Sequence, residues 1–68
     1  MNIDEAISIA KNQAVADNGD WVSYLSHIDS QTYYRIVFSV SNPGSVPSSV
    51  AYDVDKKTKQ CSTRKWVG

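Results

Sequence analysis

The sequence predicts an α+β fold, with one N-terminal helix packed on one face of a four-stranded antiparallel sheet. The first part of the chain repeats apolar residues at helical spacing, and the remainder alternates β-branched and aromatic residues with polar ones. Short polar connections between these segments favour antiparallel pairing of neighbouring strands. The 68 residues are enough for one domain, which we predict to span residues 1–68.

The predicted helix covers residues 3–16. Asn2 suits the N-cap position, and Glu5 three residues later completes a capping box. Asn18 and Gly19 tolerate the left-handed conformation that ends helices, so we expect the helix to stop there. The apolar stripe consists of Ile3, Ala6, Ile7, Ala10 and Ala14.

Four strands are predicted after the helix, over residues 21–28, 32–40, 49–54 and 60–67. The second has the clearest pattern, because Tyr34, Ile36 and Phe38 alternate with more polar residues. Pro43 and Gly44 identify residues 41–48 as a loop. In the first strand the alternation is imperfect: it puts Tyr24 on one face with Val22, Ser26 and Ile28, and His27 on the other with Trp21, Ser23 and Leu25.

Composition and charge exclude several classes of protein. With 41% hydrophobic residues the chain is too apolar for a disordered segment. It also lacks an apolar run of the roughly 20 residues that a membrane span needs. The net charge is zero, but residues 1–34 carry −4 and residues 35–68 carry +4. The acidic N-terminus predicts a cytoplasmic protein, with a mature extracytoplasmic domain as the open alternative.

Three segments resemble the PepSY domain. They are Asp-Glu-Ala-Ile-Ser-Ile-Ala at 4–10, Tyr-Tyr-Arg-Ile-Val-Phe-Ser at 33–39 and Ala-Tyr-Asp-Val-Asp-Lys-Lys-Thr-Lys-Gln at 51–60. The closing hairpin is also similar to that of small bacterial immunity proteins of the nuclear transport factor 2-like kind. Lys59 stands where these families usually have glycine. The resemblance implies a non-catalytic domain that inhibits or regulates another protein by binding it.

The residues that could carry chemistry do not form a recognisable set. The single cysteine, Cys61, rules out an intramolecular disulfide, and its spacing from His27 matches no nucleophile motif. Asp53 and Asp55 are two residues apart, and Asp17 and Asp20 lack the spacing of a calcium loop. We therefore predict no catalytic residues, no bound metal and no cofactor.

A basic C-terminal hairpin supports an alternative function. Its cations could contact phosphates while Trp66 stacks on a base, as in a small nucleic-acid-binding module. The neutral net charge of the whole chain argues against this alternative. The basic residues of the hairpin are Lys56, Lys57, Lys59, Arg64 and Lys65.

The aromatic residues favour a protein-binding surface. They are too many to fit under one short helix, and Tyr, Trp and Arg are enriched at binding hot spots. If the face of Tyr34 meets the helix, the opposite face of that strand is exposed. We therefore predict a partner-binding surface, and a function as an inhibitor, immunity or regulatory protein that occludes a partner protein. A third hypothesis is a homo-oligomer formed through an open sheet edge. The predicted partner-binding residues are Tyr24, Tyr33, Arg35, Val37 and Trp66.

Overall fold

The computed structural model describes residues 1–64, apart from the side chain of Arg64. One helix precedes a four-stranded antiparallel sheet in which the strands lie in sequence order, β1-β2-β3-β4. The elements are α1 (Ile3–Asn18), β1 (Val22–Asp29), β2 (Tyr33–Val40), β3 (Ser48–Asp55) and β4 (Cys61–Arg64). This arrangement confirms the predicted fold class.

The element boundaries are close to the predicted ones. The helix continues two residues beyond the predicted end at residue 16. β2 differs from the prediction by one residue at its start, and β1 and β3 differ by one residue at both ends. Residues 65–67 of the predicted fourth strand lie outside the described part of the chain.

Helix α1 is capped as the sequence indicates. The Asn2 side chain accepts a hydrogen bond from the backbone N–H of Glu5 at 2.9 Å. Gly19 ends the helix with φ of 82°, and its N–H donates to the Val15 carbonyl at 2.8 Å. A left-handed residue at this position satisfies a carbonyl that the helix leaves unpaired.

A stripe of small side chains brings α1 close to the sheet. Ala6, Ala10 and Ala14 are fully buried, whereas the largest buried side chains all come from the sheet. Methyl groups on the helix therefore meet rings and branched chains on the strands. Phe38 and Tyr52 pack edge-on at the centre, with ring centroids 6.1 Å apart.

A polar contact joins the end of α1 to β3. The Tyr52 hydroxyl donates to the Asp17 carboxylate at 3.0 Å and accepts from the Asn18 side chain at 3.2 Å. Burial, followed by the hydrogen bond to Asp17, raises the pKa of Tyr52 to about 12. The phenol is therefore neutral at physiological pH, and its buried oxygen has both a donor and an acceptor nearby.

A β-bulge in β1 changes which face its residues occupy. Tyr24 pairs with Phe38 and Ser26 pairs with Val37, so Leu25 has no partner in the register. Tyr24 and His27 consequently share the helix-facing side, while Ser26 and Ile28 lie on the open side. The sequence prediction that placed Tyr24 with Ser26 on one face was therefore wrong, because an unbroken period of two cannot show an inserted residue.

The open face of the sheet is built around an ion pair. Arg35 on β2 donates to Asp53 on β3 through Nε at 2.8 Å and Nη2 at 3.2 Å. The Arg35 guanidinium also lies 5.3 Å from the centre of the Tyr33 ring. Only 15% of the Arg35 side chain is exposed, so this predicted binding residue is largely occupied by contacts within the domain.

The burial of Val37 contradicts the prediction that this residue is exposed. It lies on the open face but is only 6% exposed. Its strand is central, and its cross-strand neighbours Ser26 and Ala51 leave it in the middle of three paired strands. A short side chain at such a position is shielded by the strands on either side.

Candidate functional site

The outer edge of β1 is the most accessible part of the sheet. β1 ends the strand order, and seven of its eight residues are exposed. Within residues 1–64, no strand pairs with this outer edge. Edge strands present backbone N–H and C=O groups that can pair with another chain.

Large apolar side chains are exposed along this strand and at its start. Tyr24 is 45% exposed, Leu25 56% and Ile28 47%, and the adjoining Trp21 is 52% exposed. We call these four residues, together with the outward backbone groups of β1, the β1 edge. Single exposed apolar residues are normal on a surface, but several along one unpaired edge strand indicate a contact site.

Two different side-chain environments flank the β1 edge. On the helix-facing side, the Tyr24 hydroxyl and His27 Nδ1 are hydrogen-bonded at 2.6 Å. On the open side, Ile28 pairs with Arg35, which places the Tyr33–Arg35 cluster directly beside it. The predicted binding residues Tyr24, Tyr33 and Arg35 therefore border the same strand from its two faces.

Hydrogen bonds at the two ends of β1 determine which backbone groups point outward. The Trp21 carbonyl accepts from the Ser41 N–H, and the Ser30 N–H donates to the Tyr33 carbonyl. Antiparallel strands alternate between residues that bond a neighbour and residues that point away from it. Counting inward from both ends, the backbone groups that point away from β2 belong to residues 22, 24, 27 and 29.

The opposite edge of the sheet is different in length and charge. β4 has four described residues, half the length of β1, and the turn before it contains Lys56, Lys57 and Lys59. Lysines and short strands are common devices against edge-to-edge pairing. β1 contains no lysine, arginine or proline, and its one charged residue, Asp29, is at its end.

The lysines of this turn are largely engaged within the domain. Lys56 pairs with Asp29 at 2.6 Å and lies 4.5 Å from the centre of the Tyr34 ring. Lys59 pairs with Glu5 at 3.2 Å. The nucleic-acid alternative thus has fewer available cations than the sequence suggests. Its other residues, Lys65 and Trp66, and the side chain of Arg64, lie outside the described structure, as does Trp66 as a predicted protein-binding residue.

A shallow depression lies beside the same turn. It has a volume of about 300 Å³ and is formed by residues 31–32 and 55–58. Asp55 is committed to the turn, since one carboxylate oxygen accepts from the N–H groups of Lys57 and Thr58 at 2.8 Å. These bonds lower the pKa of Asp55.

The residue types considered for catalysis are separated by the fold. His27 is on β1 and Cys61 on β4, three strands apart, which is about 14 Å at ordinary strand spacing. Burial raises the pKa of the Cys61 thiol, so little of the nucleophilic thiolate forms at neutral pH. Asp53 is bonded to Arg35. Among residues 1–64 no cluster of three metal-ligating side chains occurs.

Sequence reasoning missed Trp21, Leu25 and Ile28 as surface residues. The available signal was the imperfect alternation in 21–28, where apolar residues fall on both faces. A segment of this kind is typical either of a strand buried on both sides or of an edge with a bulge, and only the strand order distinguishes them.

Comparisons with known proteins identify no relative of this chain. The chain matched no family model, no curated protein and no solved structure. None of the described helices is long and apolar enough to span a membrane.

Proposed function

We propose that this chain is a non-catalytic protein-binding domain that inhibits or regulates a partner protein by pairing the β1 edge with an extended segment of that partner. The observation that carries this proposal is the exposed eight-residue edge strand without a lysine, arginine or proline. Strand addition of this kind gains affinity from backbone hydrogen bonds and specificity from alternate side chains.

The side chains around β1 indicate the chemistry of the segment. Residues 22–28 contain no Asp, Glu, Lys or Arg, so a charged segment would lose hydration without finding a permanent countercharge there. Ile28 offers an apolar contact on the open side, whereas Tyr24 and His27 offer an aromatic and hydrogen-bonding contact on the other. The preferred segment is therefore uncharged and rich in β-branched or aromatic residues.

Several features agree with a binding role. His27 and Cys61 lie on opposite edges of the sheet, and the polar groups of Asp53, Asp55 and Tyr52 are used in contacts within the domain. The resemblance to PepSY domains and immunity proteins stays a prediction, and it points to the same class of function. An inhibitor can act by covering a functional surface of its target. A domain that pairs its edge strand with the target would cover that surface sterically.

The proposal can be tested with peptides selected against the immobilised protein from a displayed random library. Amide chemical shifts of the labelled protein, followed during titration with a selected peptide, should change along residues 22–29. Leu25→Lys should weaken binding by about tenfold or more, equivalent to about 1.4 kcal/mol, because a lysine on an edge opposes strand pairing.

Val46→Lys is the matched control, since Val46 is 88% exposed and lies in the loop between β2 and β3. This variant should bind the peptide as the wild type does. Shift changes confined to the turn at 55–59, or equal binding by both variants, would contradict the β1 edge as the site. A parallel titration with a single-stranded oligonucleotide at low salt tests the alternative, and shift changes there that vanish with added salt would favour nucleic-acid binding.

A further inference from the structure

We infer that the β1 edge of the free protein is occupied by β1 of a second copy, forming a two-fold symmetric dimer with one continuous eight-stranded sheet. This inference rests on the proposed function, because it names an occupant of the same edge. It also adds regulation: a partner's segment must compete with self-association for β1.

The outward backbone groups of β1 are spaced symmetrically about the bulge. Residues 22, 24, 27 and 29 point outward, at intervals of two, three and two residues, because of the bulge at Leu25. The bulge adds one residue to this spacing, and β2 shows that a partner strand can follow β1 across it, since Tyr24 pairs with Phe38 and His27 pairs with Ile36. An antiparallel second β1 has the same intervals when read backwards.

The matched intervals fix the register of the dimer. The two-fold axis passes between Leu25 and Ser26, so Tyr24 of each copy is opposite His27 of the other. Val22 is likewise opposite Asp29 of the other copy. The two bulges face each other at the axis, and all four outward residues on each strand meet an outward residue.

Antiparallel pairing keeps the like charges at each end of β1 apart. The exposed Asp20 precedes β1, and Lys56 is bonded to Asp29 at the other end. Antiparallel pairing brings Asp20 of one copy to the end that carries the Lys56–Asp29 pair of the other, whereas parallel pairing would bring Asp20 of both copies together. Like charges placed side by side disfavour a pairing, so the charges at the ends of β1 favour the antiparallel orientation.

Covering the β1 edge would also increase the buried surface of this small chain. A domain of this length buries only about 60% of its unfolded surface, and β1 is the strand with most exposed residues. In the dimer, Leu25 and Ile28 of both copies lie along one interface. An isologous contact of this type closes on itself and leaves no further copy of β1 available.

Light scattering after size-exclusion chromatography tests the dimer directly. The full chain should elute with twice its 7.5 kDa mass, Leu25→Lys should elute as a monomer, and Val46→Lys should remain a dimer. Circular dichroism of each variant establishes that it is folded, and a folded Leu25→Lys that stays dimeric would overturn the inference.

Cysteine cross-linking tests the register. In a Cys61→Ser background, chains with Tyr24→Cys mixed with chains with His27→Cys should form a disulfide under mild oxidation, because directly opposed Cα atoms lie within disulfide range. Tyr24→Cys alone should not, since its two copies are on neighbouring strands and are also offset along them by about two regular residues, roughly 7 Å. Cross-linking of the unmixed variant as fast as the mixture would overturn this register.

The two proposals fail in different ways. A wild type that stays at 7.5 kDa at millimolar concentration, but whose β1 amides respond to selected peptides, rejects the dimer and keeps strand-mediated binding. A dimer that is broken by Leu25→Lys, with no peptide response at β1 in that monomer or in the wild type, keeps the dimer and rejects the proposed function.

Discussion

At the scale of single residues, Tyr52 links the helix to the sheet through two different hydrogen-bonded groups. It is 1% exposed and bonds to both Asp17 and Asn18 at the end of α1. Its ring also packs on Phe38 in the centre of the core. One side chain therefore contributes both apolar contact and the polar connection between two elements.

Tyr52→Phe should lower the free energy of unfolding by about 1–2 kcal/mol, since it removes the hydroxyl but keeps the ring. The wild type should also lose stability in alkali. Its Tyr52 pKa is about 12 when folded, against an ordinary 10.0, so the neutral phenol stabilises the fold fully below pH 10, and this is lost as pH rises toward 12.

Urea denaturation at a series of pH values measures both effects. Between pH 10 and 12 the curve of Tyr52→Phe should fall less steeply than that of the wild type. Parallel curves would show that Tyr52 does not carry the alkaline sensitivity. Tyr33→Phe is a control, because that hydroxyl lies on the other face of the sheet, where it accepts a long 3.4 Å bond from Arg35.

Lys59 is the described non-glycine residue with positive φ, at 63°. It occupies the turn position where the resembling families usually have glycine. A left-handed conformation costs a side-chain-bearing residue roughly 1–2 kcal/mol. The turn keeps it because the Lys59 N–H donates to the Asp55 carbonyl at 2.8 Å and the ammonium reaches Glu5.

Lys59→Gly should therefore stabilise the domain by about 0.5–1 kcal/mol, since relief of strain exceeds the loss of an exposed ion pair and the added freedom of the unfolded chain. Thermal unfolding measures the change. Glu5→Gln isolates the contribution of the ion pair. A net loss of stability larger than that of Glu5→Gln would show that the turn is not strained at this residue.

At the scale of elements, α1 depends on small residues for its fit against the sheet. Ala6, Ala10 and Ala14 are fully buried beneath the helix axis, and interiors of this kind are packed without spare volume. The helix therefore has little room for larger residues at these positions, although leucine has a nearly equal helix propensity.

Ala10→Leu should destabilise the domain by about 1–3 kcal/mol through overpacking. Ala16→Leu is the matched control, because Ala16 is in the same helix but exposed. Chemical denaturation of the two variants gives the comparison. Equal stabilities would mean that the helix can move away from the sheet at little cost.

The elements were largely predictable because their signals are local. Caps, helical spacing and the alternation in residues 32–40 all act over a few positions, and they gave the correct fold class. The bulge at Leu25 was not predictable, because it depends on how β1 pairs with β2. The burial of Val37 and the engagement of Arg35 by Asp53 also depend on strand order. Of the predicted surface, Tyr24 lies on the exposed edge strand, whereas Tyr33, Arg35 and Val37 lie one strand away on β2.

At the scale of the whole molecule, the acidic and basic halves of the sequence form ion pairs with each other. The N-terminal half supplies Glu5 and Asp29, and the C-terminal half supplies Lys59 and Lys56, their ion-pair partners. Exposed pairs of this kind contribute little stability each. Their effect is to reduce the field that the turn lysines present to a distant polyanion.

The sequential strand order has a consequence for the growing chain during synthesis. Each strand pairs with its nearest neighbour in sequence, so the hairpins can close over short loops, which is fast. Helix α1 is made before the strands, yet the alanines it buries have no surface to meet until Phe38 and Tyr52 have been added. We therefore expect α1, although it leaves the ribosome before the sheet, to gain protection from proteases only after the sheet has formed.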